Sequence, residues 1–206
     1  IIAHAKTVVE KSQIYNLLIL QYTLEAQYEK AIQAARDALE LLDIQMPKDD
    51  LHGAYLRECE ALSRKIAGRS MESLVEQNKT PPADICTALN LMAKLIPTAF
   101  IFNVELLLWL GAKGIDLSLK FGWAVESAMF CPAYAFYPIH AFQDYQSGYT
   151  YSRLGVLVAE KFQSKAELCR SKESANSHFN FWVSRLRLSN DLAAESIQAG
   201  LESGDI

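Results

Sequence analysis

Apolar residues recur along this chain at intervals of three and four, and no long alternation of β-branched and polar positions appears, so the pattern predicts helix almost throughout. The first pair of helices is expected over about 3–24 and 27–43, with a stop at "IQMPKDD", where Pro47 cannot continue a helix. A third covers about 50–67 and ends at Gly68 as a C-terminal cap, and a short helix follows near 70–77. In "NKTPPAD", Thr80 is placed to cap and Pro81 to occupy the first helical position of a helix running to about 101, with Pro97 near its last turns. Asn103 opens the next, "VELLLWLGAKGIDLSLKFG". Residues 124–142 are helical in pattern but carry Pro132 and Pro138, which predicts a kink or a break. Helices over about 144–163, 165–185 and 189–203 complete the chain, and Ser164 with Glu167 forms an S-x-x-E capping box.

Two distant stretches share a spacing. In "QYEKAIQAARDALELL" and "DYQSGYTYSRLGVLVA", Tyr28 corresponds to Tyr145, Ala31 to Gly148, Ala35 to Ser152 and Ala38 to Gly155. Residues at i, i+4 and i+7 lie on one helix face. A face of Ala, Gly and Ser lets two helices approach closely, and the leading tyrosine can cover the end of a neighbouring helix. Gly111 and Gly114 provide a weaker third instance. Glycine inside a helix costs roughly 1 kcal/mol relative to alanine, so its use at matching positions points to packing rather than catalysis. The phrases "SLKFG", "AEKFQ" and "GLESG" end helices near 122, 163 and 204, about 41 residues apart. A two-helix period of that size predicts an all-α, antiparallel helix-pair solenoid, a right-handed superhelix of roughly nine or ten helices over residues 1–206 as one domain.

Composition narrows the function classes. A net charge of −4 gives no electrostatic bias toward nucleic acid or an anionic membrane surface. No uncharged apolar run of about 18 residues is present, so no bilayer-spanning helix is expected. The N-terminus "IIAHAK" has neither an initiator Met nor a signal-peptide pattern, and the chain is read as a piece of a longer one. Cys59, Cys86, Cys131 and Cys169 are widely spaced, which favours buried free thiols in a reducing cytoplasm over a disulfide set or a zinc site.

Candidate chemistry is sparse. There is no G-x-x-x-x-G-K-[ST], G-x-S-x-G or H-E-x-x-H stretch, so no catalytic residue, cofactor or metal ligand is assigned. "KDD" at 48–50 reads as a solvated loop and helix start. His4, His52, His140 and His178 are scattered and read as structural. The densest feature is aromatic: Trp123, Phe130, Tyr134, Phe136, Tyr137, Phe142, Tyr145 and Tyr149 lie between Phe121 and Tyr151. They can fill space between helices that the prolines push apart. They can also anchor a peptide or flat ligand on an inner face, with Tyr134, Tyr137, Tyr145 and Tyr149 as the candidate binding face. Phe181 and Trp182 are expected to be exposed near the C-terminal end.

The first helix pair resembles the tetratricopeptide consensus at Tyr15, Leu18, Tyr22, Ala31, Ala35 and Ala38, with the closing proline delayed to Pro47. The longer chain resembles the degenerate tetratricopeptide-like region of very large signalling kinases. Those proteins join a Ser/Thr-kinase-like domain, a P-loop ATPase module, this helical region, a GAF domain and a histidine kinase. The phrases that carry the resemblance are "YEKAIQAARDALELLDIQMP", "IAGRSMESL", "LNLMAKLIPTAFIFNVELL", "GIDLSLKFG", "DYQSGYTYSRLGVLVAEKF" and "AGLESGD". The resemblance implies a non-catalytic interaction or linker module, with protein or peptide partners that include other domains of the same chain. It implies no catalytic residue. A regulatory sensor binding a small molecule or peptide near 121–151, and an all-helical enzyme, are the competing expectations.

Overall fold

Thr7 begins the first helix with a reciprocal cap. Its side chain accepts from the Glu10 backbone N–H at 3.1 Å, and the Glu10 carboxylate accepts from the Thr7 N–H at 3.3 Å. A computed structural model describes residues 7–184 and 186–204, and these are all-helical, with no strand among them. The described residues contain ten α-helices of five or more residues and one of three. His4 and the first positions of the expected opening helix lie outside the described residues.

The helices α1 (Val8–Leu24) and α2 (Tyr28–Glu40) form a hairpin whose loop holds Ala26 at φ 55°. Asp50 caps α3 (Leu51–Ile66) by accepting from the Gly53 N–H, the helix-start role expected for "KDD". Gly68 follows at φ +72°, a left-handed position that costs glycine nothing. Next come α4 (Met71–Val75), α5 (Ala83–Phe102) and α6 (Val104–Phe121). The expected start of α5 is corrected: the helix begins two residues past Pro81, with Pro82 at the cap, and Thr80 makes no cap bond. Two consecutive prolines hold the preceding residue out of the helical region, so the chain turns helical only after the second. Asn103 alone separates α5 from α6, and its side chain accepts from the Leu106 N–H at 3.0 Å.

The proline-bearing stretch is divided. Val125–Met129 is a 3-10 turn and α7 is Phe130–Phe142, with Pro138 inside it. Then come α8 (Tyr145–Lys161), α9 (Lys165–Ser174), a π-helical segment Ala175–Asn180, the single turn α10 (Phe181–Val183) and α11 (Leu186–Ser203). Periodicity predicted one helix over 165–185. The π turn and the break at Ser184, whose φ is −130°, interrupt it.

From α6 onward each long helix packs on the next: α6 on α7, α7 on α8, α8 on α9, and α9 on α11. The N-terminal half is paired differently. α1 and α2 both pack on α5, and α3 packs on α6. The helix endings expected near 122, 163 and 204 fall at Phe121, Lys161 and Ser203. Short α4 is held by side chains from afar. The Trp123 indole N–H donates to the Leu74 carbonyl at 2.8 Å, and the Lys161 ammonium donates to the Val75 and Gln77 carbonyls at 2.7 and 2.6 Å.

No uncharged run of bilayer-spanning length occurs, since Lys94 lies inside α5, but among the described residues α5 is one helix long and apolar enough by length and composition to cross a membrane. Between Ile85 and Phe102 Lys94 is the one charged residue, with Thr87, Asn90 and Thr98 as further polar positions. Half of its apolar window is buried by neighbouring helices, including Leu89, Leu91, Met92 and Leu95 at 0 % exposure.

Candidate functional site

Helix α7 is enclosed by small residues on both sides. A β-carbon on Gly111 of α6 would collide with the backbone at Ala133 and Tyr134, and one on Gly114 would collide with the Phe130 ring. From the other side, a β-carbon on Gly148 of α8 would stand 2.6 Å from Ile139 Cδ1, and one on Gly155 would stand 3.2 Å from Pro132 Cδ. Ser152 is buried between these two glycines. In the first hairpin, Ala31, Ala35 and Ala38 are fully buried, and Tyr28 sets its ring 5.5 Å from that of Phe102 at the end of α5.

This enclosure decides the fate of the tyrosines. Tyr134 and Tyr137 are core residues, so the expected binding face is not presented by either. The Tyr134 ring lies 5.8 Å from Tyr137 and 5.2 Å from Tyr151, and its hydroxyl is 2.9 Å from Ser63 Oγ. Burial pushes the Tyr134 hydroxyl well above the usual tyrosine range. Tyr145 and Tyr149 are half-buried, and the Tyr145 ring packs 4.9 Å from that of Trp182. Phe181 and Trp182 are exposed, as the sequence led us to expect.

The cavity lies elsewhere. A groove of about 440 Å³ opens between Pro97 and Phe100 of α5, Pro132 and Phe136 of α7, and the α9 side, where Arg170, Glu173 and His178 line it. Three rings form its wall. His178 stands edge-on to Phe100 at 5.2 Å and to Phe136 at 5.6 Å, and the two phenylalanines are 5.9 Å apart. Pro97 and Pro132 present hydrocarbon where other residues would bring a backbone N–H. His178 lies in the π-helical segment, a helix irregularity frequent at functional sites.

Polar groups at the rim are already arranged. Arg170 donates to the Glu167 carboxylate at 2.8 Å, and Lys172 donates to Glu195 at 2.7 Å. His178 Nδ1 lies 2.7 Å from Ser177 Oγ and 3.2 Å from the Ser174 carbonyl oxygen. Cys169 also lines the groove, its sulfur 3.6 Å from Ser196 Oγ. The other described histidines are apart from it: His52 is paired with Glu105 at 2.7 Å, and His140 is exposed. The four cysteines are free thiols. Among the described residues, no group of three or more His, Cys, Asp or Glu side chains is placed to hold a metal ion.

Sequence reading noted Pro97, Phe136 and His178 separately and did not join them. Phe100 and Glu173 carried no signal of their own, because the wall is drawn from three helices and no local spacing reports it. Comparison with family models, curated proteins and solved structures finds no match for this chain.

Proposed function

We propose that this chain is a non-catalytic protein-interaction and linker module, a tetratricopeptide-like solenoid belonging to a cytoplasmic multi-domain signal-transduction kinase that also carries an ATPase module. Large apolar side chains left facing solvent carry the reading. On α1, Leu17, Leu20 and Leu24 are 68 %, 47 % and 79 % exposed at helical spacing. At the α5–α6 elbow, Phe100, Ile101, Phe102 and Val104 are each 44 % exposed or more. Apolar surface of this kind marks contact with another protein. The repeated small-residue faces and the sequential packing from α6 to α11 support the solenoid arrangement.

The test uses the purified 206-residue chain as bait in lysate of the source organism, beside a Leu17→Glu, Leu24→Glu double variant. Proteins retained by the parent chain and lost from the variant support the reading. ATP hydrolysis by the purified chain removes it.

A second reading, a regulatory ligand sensor, is favoured by the groove beside α7. It is of the size that small-molecule sites occupy and is mostly apolar with a few polar groups at one edge. It borders the 121–151 stretch through Phe136 and Pro132 rather than through the tyrosines.

A further inference from the structure

We propose that the groove between α5, α7 and α9 takes a small hydrophobic ammonium ion, an alkyl- or arylamine in its protonated form, with hydrocarbon against Phe100 and Phe136 and N–H groups directed to His178 and Glu173. The proposal rests on the ligand-sensing reading and assigns it a ligand class. A volume of about 440 Å³ suits such a molecule.

The polar edge selects the charge. A carbonyl oxygen can only accept, so the 3.2 Å contact between His178 Nδ1 and the Ser174 carbonyl favours the tautomer with the hydrogen on Nδ1, and the 2.7 Å contact with Ser177 Oγ is compatible with it because a hydroxyl can accept. In the neutral ring the other nitrogen, Nε2, is then an acceptor, and it belongs to a ring that lines the groove. Glu173, also lining the groove, is in no ion pair among the described residues. The cations beside it are engaged, Arg170 by Glu167 and Lys172 by Glu195. The edge therefore offers a lone pair and an unpaired carboxylate. The aromatic wall supplies the apolar contact for the hydrocarbon and leaves the charge to the edge. A carboxylate ligand would meet Glu173 as a like charge. A neutral ligand would gain the wall without the edge.

Three probes of one skeleton separate these cases: phenethylammonium, phenethyl alcohol and hydrocinnamate. Binding is read by calorimetry and by the isotope-labelled methyl signal of Met129, which lines the groove. Phenethylammonium should bind about ten-fold tighter than the alcohol, and Glu173→Gln should remove most of that difference while leaving the alcohol unchanged. Glu173 is exposed, so this variant keeps the fold. Equal binding of ammonium and alcohol, or tighter binding of hydrocinnamate, overturns the ammonium assignment while leaving the groove a ligand site. If none of the three moves the Met129 signal, both the assignment and the sensor reading fall.

Discussion

Gly155 of α8 and Ala128 of the 3-10 turn are in direct backbone apposition: a β-carbon on residue 155 would stand 2.6 Å from the Ala128 carbonyl oxygen. The obstacle is main chain, which cannot rotate away as a side chain would.

Gly155→Ala should therefore destabilise the chain by about 1–3 kcal/mol through overpacking, despite alanine being the better helix former. Ala38→Leu, at a position with 0 % exposure, should fall in the same range of about 1–3 kcal/mol. Urea midpoints measure both. An unchanged midpoint for Gly155→Ala would show that α8 can move off the turn.

Tyr134 separates packing from recognition. Tyr134→Phe loses the bond to Ser63 Oγ and keeps the ring, an expected loss of about 0.5–1.5 kcal/mol. Tyr134→Ala empties a fully buried site and should cost about 3–5 kcal/mol. Thermal melts give both values. Weakened partner capture by Tyr134→Phe at unchanged stability would restore this residue to a binding role.

The chain should lose stability in alkali. Burial, with smaller contributions from Glu58 and Glu60, pushes the Cys59 thiol from 9.0 up to about 12, and burial also raises Tyr134, Tyr137 and Tyr151. Above pH 9.0 the unfolded chain releases the Cys59 proton while the folded chain keeps it, so stability is full below that pH and falls on the way to 12. Each such group removes up to about 1.4 kcal/mol per pH unit in its window. The acid side has the opposite sign. Hydrogen bonds from Ser147 hold the Asp144 carboxyl below its ordinary value of 3.8, so its contribution is present above that pH and lost below it. Urea titrations at stepped pH give the profile, and a stability that rises from pH 9 to 11 would contradict it.

Thiol reactivity should sort by burial. Cys59 and Cys131 have 0 % exposure, and burial raises both thiols. Ellman's reagent should label Cys86 and Cys169, which are half-buried, in the folded chain and reach the other two only after denaturation. Four equivalents released at once under native conditions would show that α3, which carries Cys59, and α7, which carries Cys131, open readily.

Much of the helical plan was legible because helix ends are written locally. Asn103, Gly68, Asp50 and Ser164 each declare a boundary within three or four residues, and the structure uses all four there. The small-residue faces were legible for the same reason, since i, i+4 and i+7 are properties of one helix. Partner choice was not. Nothing in α3 says that it lies on α6 rather than on α2, because a buried stripe states that it needs cover and not which helix supplies it. Tyr134 shows the same limit. Its place in the aromatic stretch made it a candidate for the binding face, and a serine 71 positions away satisfies its hydroxyl inside the core. The groove was the least legible feature. Phe100, Phe136 and His178 stand about 36 and 42 residues apart in sequence, and a π turn, invisible to a 3.6-residue period, carries the third.

The enclosure of α7 has a consequence in time. Its walls and its occupant all come from 104–161, so the loops that must close are short and cost little chain entropy. A helix with two prolines and few polar positions has little reason to form before its walls exist, and walls missing side chains on the facing side pack poorly without it. Residues 104–161 should thus appear and disappear together as a single opening unit. Amide protons of Leu108, Tyr134 and Val158 should then exchange with one common rate, slower than those of α1, whose outer face is bathed in water.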